Sequence, residues 1–450
     1  MINEELQEKL LSVFDKRFQD YNTKVLEELG NVIKQFKDLT PSQAYELGQQ
    51  LKYNTTIKDL LNELSKISGL SVKDLKVILE KVAKENINFA DVYYKARGLE
   101  TPIYEQNKAL QRLVSSVYSI SGAEFKNIAK STGFRLLGDN GEPLLLDIDE
   151  TYKYVIDKCV VAISQGKETY QQSMRSTLKQ LSSSGVRKIE YESGYSRRLD
   201  ASIRQNVLDA VREVSNQSQM LFGEEFGYNA VEVSHHSNSA PDHSNNDIEN
   251  GKFDIDGHQF VKLNILKEQI KNGMEKEITL KDIDEVNHRV KCKGKWYYDF
   301  DYINEKLNRK VSDLNCRHYI FSIILGVSRP QFTDKQLEED KKKNNDGFEF
   351  EGKHYTFYEG EQLLNRIALE IRKNKDMQIM AKSSGDDDLI LSSQTKITQL
   401  TTKYRQVVKV SGLPNKLATK GWVPGYKRTS VAKNKLMWYN IIVVGQILYL

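Results

Sequence analysis

The stretch AVEVSHHSNSAPDHSNNDIENGKF, residues 230–253, marks the point at which the chain changes character. It opens with apolar and polar residues that alternate over 230–234, which is the two-residue period of a strand. Turn-forming residues and three histidines follow, and six of the seven histidines of the chain lie between 235 and 318. The sequence therefore predicts a small β-containing domain, rich in His and Cys, over residues 229–335.

Helical periodicity dominates on both sides of this segment. Apolar residues recur every three or four positions over 6–36, 104–131, 149–164, 167–181, 199–225, 360–382 and 395–410. We therefore predict an α+β fold that is predominantly α-helical, with the small His/Cys-rich β domain in the middle of the chain.

Local signals predict where helices and linkers lie. Thr40 followed by Pro41 and Gln43 is typical of a helix start, and Ser71, ahead of another apolar run, predicts a second start. The charged run 341–346 indicates an exposed linker.

Turn chemistry and composition divide the chain further. Turn residues at 138–141 predict a domain boundary. With the other breaks, the expected regions are an N-terminal helical region 1–140, a central helical region 141–228, the small domain 229–335, a C-terminal helical region 336–428 and an apolar tail 429–450.

Composition excludes some classes of protein. The net charge is +4, from 66 basic and 62 acidic residues, so bulk charge does not indicate a nucleic-acid binder. Three scattered cysteines are too few for a disulfide framework, and the first ten residues lack the apolar run of a signal peptide, which favours synthesis in a reducing cytoplasm. The apolar stretch 437–450 is shorter than the roughly 20 residues that span a bilayer, so we expect a buried terminal element and no membrane contact.

A possible ligand set lies in two segments. The imidazoles of His236, His243 and His318 and the thiol of Cys316 are groups that suit a tetrahedral zinc ion. In an extended segment, Cys316 and His318 would face the same side and Arg317 the opposite side. The alternative, which we favour at this point, is that the imidazoles bond backbone carbonyls and hold irregular loops together. The residues indicate no other cofactor.

A second alternative for the same residues is a metal-dependent nuclease. In that interpretation Asp242 and His243 act as a general base beside a metal ion. Such a site needs further Asn or His ligands on a strand–helix unit, and the residues at 244–247 follow no obvious unit of that kind.

Two other groups of residues have a structural and a nucleic-acid interpretation. Four aromatic residues, Trp296, Tyr297, Tyr298 and Phe300, are expected in the core of the small domain, with base stacking as the alternative. The basic residues of a C-terminal helix suit either a solvated face or phosphate contacts with DNA. These residues are Arg366, Arg372, Lys373 and Lys375.

The order of these motifs resembles a known family. A valine-rich strand ends in Ser234-x-His236, Ala240-Pro241-x-His243 follows, Gly251 leads a turn with Phe253, and 315–318 read Asn-Cys-Arg-His. Over about residues 149–410 this order resembles the phage minor capsid protein 2 family, which is similar in turn to Mu F-type head morphogenesis proteins.

The resemblance implies a structural protein of the phage head and not an enzyme. It implies synthesis in the bacterial host cytoplasm, location in the virion, and binding to the portal protein and the major capsid protein during head assembly. It also implies help in DNA packaging or delivery. Phage DNA and a second copy of the chain remain open as further partners.

Overall fold

The computed structural model describes residues 4–53, 55–96, 98–138, 140–190, 192–311 and 316–429. The chain forms two compact units. Unit 1 comprises Met1–Leu11, Lys73–Ala123 and Gln205–Glu359, and unit 2 comprises Ser12–Val72, Glu124–Arg204 and Gly360–Leu450. The five consecutive regions expected from the sequence stay a prediction. The apolar stretch 437–450 lies outside the described residues, and so does Asn315.

Helices account for most of the described chain. In chain order they are α1 (Glu4–Gln35), α2 (Pro41–Lys52), α3 (Thr56–Ala96), α4 (Lys108–Ser131), α5 (Ile148–Ser164), α6 (Lys167–Ser184), α7 (Leu199–Phe226), α8 (Pro241–Ser244), α9 (Leu263–Lys271), α10 (Phe300–Lys306), α11 (Asp334–Asp346), α12 (Phe357–Ser384), α13 (Asp387–Ser411) and α14 (Leu417–Lys420). Within the described residues, no helix combines the length and the apolar character that a bilayer crossing requires.

Small antiparallel sheets complete the fold. Their strands are β1 (Thr132–Leu137), β2 (Pro143–Asp147), β3 (Arg187–Ile189), β4 (Ser196–Arg198), β5 (Ala230–Val233), β6 (Gln259–Val261), β7 (Ile283–Asp284), β8 (Arg289–Cys292), β9 (Lys295–Tyr298), β10 (Ile320–Ile323), β11 (Phe348–Phe350) and β12 (Lys353–Tyr355). The strand orders are β2-β1-β3-β4, β10-β5-β6, β7-β8-β9 and β11-β12. The predicted α+β fold, predominantly helical, is confirmed.

The start of α2 follows from local chemistry, as predicted. The Thr40 side chain accepts a hydrogen bond from the Gln43 backbone N–H, and the Gln43 side chain accepts one from the Thr40 N–H. Pro41 occupies the first turn, where a missing N–H costs nothing. Residue 138 and residues 140–142, in the predicted turn region, lie between β1 and β2.

The second helix start, predicted at Ser71, is wrong. Helix α3 runs without interruption from Thr56 to Ala96, and Ser71 is fully buried within it. Leu64 and Leu75 are both fully buried, so the helical apolar period continues through the serine. A capping motif inside a strong apolar period therefore does not start a new helix.

The linker predicted at 341–346 is also wrong, because these residues form the end of α11. Thr333 and Gln336 cap its start, and Gly347, with φ of 49°, follows its end. Leu337 is the buried residue of this helix. A helix with one buried anchor and charges elsewhere has the composition of a linker, which explains the error.

The aromatic residues of the small domain divide between core and surface. Phe300 is buried beside Phe260, with 6.1 Å between ring centroids, and its expected place in the core is confirmed. Trp296 is 40% exposed, so its expected burial is wrong. It lies on β9 at the edge of a three-stranded sheet, and the Arg289 guanidinium covers its ring at 4.4 Å from the centroid.

Strand β5 organises the part of unit 1 that holds the histidines. It is the central strand of its sheet, and all four of its residues are buried. Val231 and Val233 pack with Cys316 in one apolar cluster, whereas Ala230 packs with Val261 in another. Because successive side chains of a strand point to opposite faces, β5 contributes to two cores at once.

Candidate functional site

Strand pairing brings the two histidine-bearing segments together. In the register of β5 with β10, Val233 lies opposite Ile320, so the end of one strand meets the start of the other. The Ser234 N–H donates to the Tyr319 carbonyl at 2.9 Å, and the Tyr319 N–H donates to the Ser234 Oγ at 2.9 Å. The residues that follow 234 and those that precede 319 are therefore neighbours.

Three potential ligand atoms converge beside this junction. The Nδ1 atoms of His243 and His318 are 3.3 Å apart, and the Cys316 Sγ lies 3.6 Å from the His318 Nδ1. All three atoms lie within 4.8 Å of one another, and all three residues are buried. Residues 75 positions apart in the sequence thus form one cluster, which we call the His/Cys cluster.

The far nitrogen of each imidazole in the His/Cys cluster is held by an oxygen. The His318 Nε2 lies 2.9 Å from the Asp256 Oδ1, and the His243 Nε2 lies 2.6 Å from the Arg309 carbonyl. Because a carbonyl or carboxylate oxygen accepts, both Nε2 atoms donate. Hydrogen bonds of this kind fix the orientation of both rings.

The Asp256 carboxylate takes part in several hydrogen bonds around the His/Cys cluster. Besides His318, its Oδ1 accepts from the His236 N–H at 2.8 Å and from the Ser239 hydroxyl at 2.7 Å. Its Oδ2 pairs with the His235 Nδ1 at 2.5 Å, and the His235 Nε2 lies 3.0 Å from Asp340. The carboxylate therefore joins the loop after β5 to the loop before β10.

The sequence prediction did not include Asp256 and Asp340, and of the pair His235–His236 it placed only His236 among the four ligands. Asp256 stands 62 positions before His318, in a stretch without metal-ligand spacing. The one local signal was an acidic residue next to Gly257 in a turn-rich segment of a His-rich domain. That signal does not distinguish Asp256 from Asp254.

His236, the fourth predicted ligand, does not belong to the His/Cys cluster among the described residues. Its Nε2 lies 3.0 Å from the Arg317 carbonyl, and its ring lies 5.0 Å from that of His318. This contact is the bond to backbone that the loop-holding interpretation expects. The predicted alternation is confirmed, since Cys316 and His318 are buried and Arg317 is exposed.

The pKa values of three groups in the site shift in different directions. Burial raises the pKa of the Cys316 thiol, but hydrogen bonds from His243 and His318 outweigh burial and lower the pKa to about 5. Burial lowers the pKa of His318, but Asp256 and Cys316 outweigh it and raise the pKa to about 9. For His236, burial prevails and lowers the pKa to about 4. The arrangement therefore favours a thiolate at Cys316.

The family model for phage minor capsid protein 2 matches residues 5–282 and 285–409. The chain belongs to this family. No curated protein and no solved structure gives a significant match. Membership of the phage minor capsid protein 2 family gives the chain a structural role in the phage capsid and a place in the virion.

In this minor capsid protein, the two residues of the nuclease interpretation are engaged within the fold. The Arg309 guanidinium donates to the Asp242 carboxylate at 2.8 Å. His243 is fully buried, and its Nε2 donates to the Arg309 carbonyl. A general base needs access to its substrate, and this geometry supplies none. Nuclease activity stays an untested alternative.

The predicted basic residues lie on α12 of unit 2. Arg366 is exposed. The other three contact groups of the same unit: Arg372 pairs with Asp200, Lys373 with Glu370 at 2.7 Å, and Lys375 with the Gly421 carbonyl at 2.6 Å. DNA contact by this helix stays a prediction.

Proposed function

We propose that this minor capsid protein binds the portal protein and the major capsid protein during head assembly, and that it aids DNA packaging or delivery. The observation that carries the proposal is the family match over nearly the whole described chain. We further propose that it is made in the host cytoplasm and enters the virion by these contacts.

The surface of unit 1 supports a docking role. Val77 and Val92 on α3 and Ile120 on α4 are 65%, 66% and 71% exposed. Aliphatic side chains exposed to this extent supply apolar area that a partner can cover. The candidate site, by contrast, is buried, which favours a bracing role over turnover of a substrate.

Assembly in a recombinant host tests the proposal. The chain would be co-expressed with the portal and major capsid proteins of its own phage, and the particles would be separated on a density gradient. We expect the wild-type chain to sediment with the particles, and the double variant Val77→Asp/Val92→Asp to remain largely at the top. Burying a carboxylate in place of a valine opposes docking because the charge loses its water.

A matched control separates lost apolar area from added charge. Ser115→Asp/Ser116→Asp introduces the same two charges at exposed positions of α4 and removes no apolar side chain, so it is expected to sediment like the wild type. A wild-type chain that stays at the top while portal and capsid proteins assemble would refute the proposal. Metal-dependent cleavage of DNA that His243→Ala abolishes would instead favour the nuclease.

A further inference from the structure

We infer that His243 Nδ1, Cys316 Sγ and His318 Nδ1 bind one transition-metal ion of the zinc class, with Asp256 as the positioning carboxylate. The inference begins from the convergence of the three buried donor atoms of the His/Cys cluster. It does not depend on which head protein the chain contacts.

The distances between the donors are those of a tetrahedral ion. With zinc–nitrogen bonds of about 2.05 Å, zinc–sulfur bonds of about 2.3 Å and tetrahedral angles, two nitrogens lie about 3.3 Å apart and a nitrogen and a sulfur about 3.6 Å apart. The observed separations are 3.3 Å between the two Nδ1 atoms and 3.6 Å between Cys316 Sγ and His318 Nδ1. Two of the three separations between the donors thus equal the edge lengths of a coordination tetrahedron, and the third lies within 4.8 Å.

Hydrogen bonds to the Nε2 atoms orient the Nδ1 atoms of both rings toward the site. Because each Nε2 donates to an oxygen, the neutral form of each ring presents the lone pair of its Nδ1. In that form, both Nδ1 atoms are free to act as ligands beside the Cys316 sulfur. The Asp256–His318 pair is the carboxylate–histidine arrangement that accompanies bound zinc.

Two other arrangements could hold the same atoms. In the first, a proton on the His318 Nδ1 pairs with the Cys316 thiolate and no metal binds. In the second, Cys316, His318 and Asp256 form a nucleophile–base–carboxylate triad. A nucleophile must meet its substrate, and Cys316 is fully buried. A metal ion accounts for all three donors, including His243, which a triad does not need.

The types of donor atom determine which metal ions the site would favour. One thiolate with two imidazoles suits zinc or cobalt, whereas magnesium and calcium prefer oxygen ligands. Three protein ligands leave a fourth tetrahedral position, for which water is sufficient. The ion would tie α8 to the segment before β10 and so brace the apolar cluster that contains Cys316.

The experiment uses the full chain, made with zinc in the medium and passed through chelator-treated buffer. Elemental analysis is expected to find one zinc ion per chain. After removal of zinc and titration with cobalt(II), we expect the visible bands of a tetrahedral ion and a thiolate-to-cobalt charge-transfer band. Cys316→Ser is expected to abolish the charge-transfer band, and His243→Ala to weaken cobalt binding at least tenfold.

Two control variants remove the same side-chain types elsewhere in unit 1. Cys292→Ser changes a buried cysteine outside the cluster, and His288→Asn changes a histidine whose φ of 49° asparagine tolerates. Both are expected to bind cobalt like the wild type.

Each outcome decides the inference. A wild-type chain without stoichiometric zinc and without the charge-transfer band would overturn it, and so would a band that persists in Cys316→Ser. If the ligand variants fail to fold, the wild-type spectrum alone decides. Alkylation of Cys316 at a rate that zinc does not change would favour the proton-sharing pair or the triad instead.

Discussion

At the scale of single residues, Asp256 contributes more hydrogen bonds to the candidate site than any ligand does. Its two oxygens accept hydrogen bonds from the imidazoles of His235 and His318, from the Ser239 hydroxyl and from the His236 backbone N–H. Although burial raises its pKa, hydrogen bonds from His235 and His318 hold the pKa well below the usual range. The group is therefore a carboxylate at neutral pH.

Asp256→Asn is expected to destabilise the fold by about 3 kcal/mol, since it removes a buried charge from partners that stay buried. Urea unfolding in the presence of a chelator measures this, so that the value reports hydrogen bonds and not metal binding. The control Asp254→Asn breaks a half-exposed contact with Lys341 at 3.3 Å and is expected to cost less than about 1 kcal/mol. Equal losses in the two variants would contradict the role given to Asp256.

Tyr21 presents the opposite case, a buried hydroxyl without a hydrogen-bond partner among the described residues. Burial and the charge of Glu63 raise its pKa above the usual value. Its folded pKa exceeds its unfolded pKa, so its contribution is intact below about pH 10 and is lost as the pH rises further.

Tyr21→Phe is therefore expected to be neutral or stabilising by up to about 2 kcal/mol at neutral pH. The advantage over the wild type should grow as the pH rises above about 10, because phenylalanine does not titrate. Urea unfolding at several pH values measures the difference. Tyr45→Phe, at an exposed position, is the control and should show no such trend. A pH-independent difference would show that the hydroxyl of Tyr21 does not ionise on unfolding.

At the scale of elements, the continuity of α3 is open to a direct test. If Ser71 capped a helix start, Val72 would be the first helical residue, where proline is tolerated. In a continuous helix, proline at 72 removes an interior hydrogen bond and clashes with the preceding turn.

Val72→Pro is expected to cost about 3 kcal/mol or more, since α3 continues through this position. Val72→Ala, which keeps the backbone N–H, is the matched control and should cost about 1 kcal/mol. Circular dichroism and urea unfolding measure helix content and stability. Equal stability of the two variants would restore the helix start at Ser71.

At the scale of the whole molecule, distant parts of the sequence meet in a buried ionic cluster of unit 2. The Arg198 guanidinium donates to Asp376 at 2.9 Å and lies 3.6 Å from Asp200, which also pairs with Arg372. The Asn22 side chain donates to Asp376 at 3.4 Å. Two positive and two negative charges thus balance where water is excluded.

Asp376→Ala is expected to destabilise the protein by about 3–5 kcal/mol, because Arg198 loses its shorter ion pair and Asp200 alone is left to balance two buried guanidinium groups. Thermal or urea unfolding measures the loss. Replacing both partners, as in Arg198→Met/Asp376→Leu, should recover most of it, since no uncompensated charge remains. Lys335→Ala, which breaks an exposed pair with Glu339, is the control, with a change below about 1 kcal/mol. A small loss in Asp376→Ala would mean that water reaches Arg198.

Much of the architecture could be predicted from local sequence. The helices 149–164 and 199–225, the cap at Thr40 and the strand that starts at Ala230 appear close to where the periods place them. The errors at Ser71 and at 341–346 share a cause, because a local motif or composition does not say whether a neighbouring element buries the segment. The family, too, could be recognised from the order of its motifs.

The sequence by itself determined the helical periods, the caps and the residue types that can bind a metal, since these depend on neighbours within a few positions. Only the tertiary structure decided that His243, Cys316 and His318 converge, that Asp256 holds His318, and that His236 bonds to backbone instead. The reason is the register of β5 against β10, which is fixed by burial of both faces of β5 and brings together side chains that no sequence spacing relates.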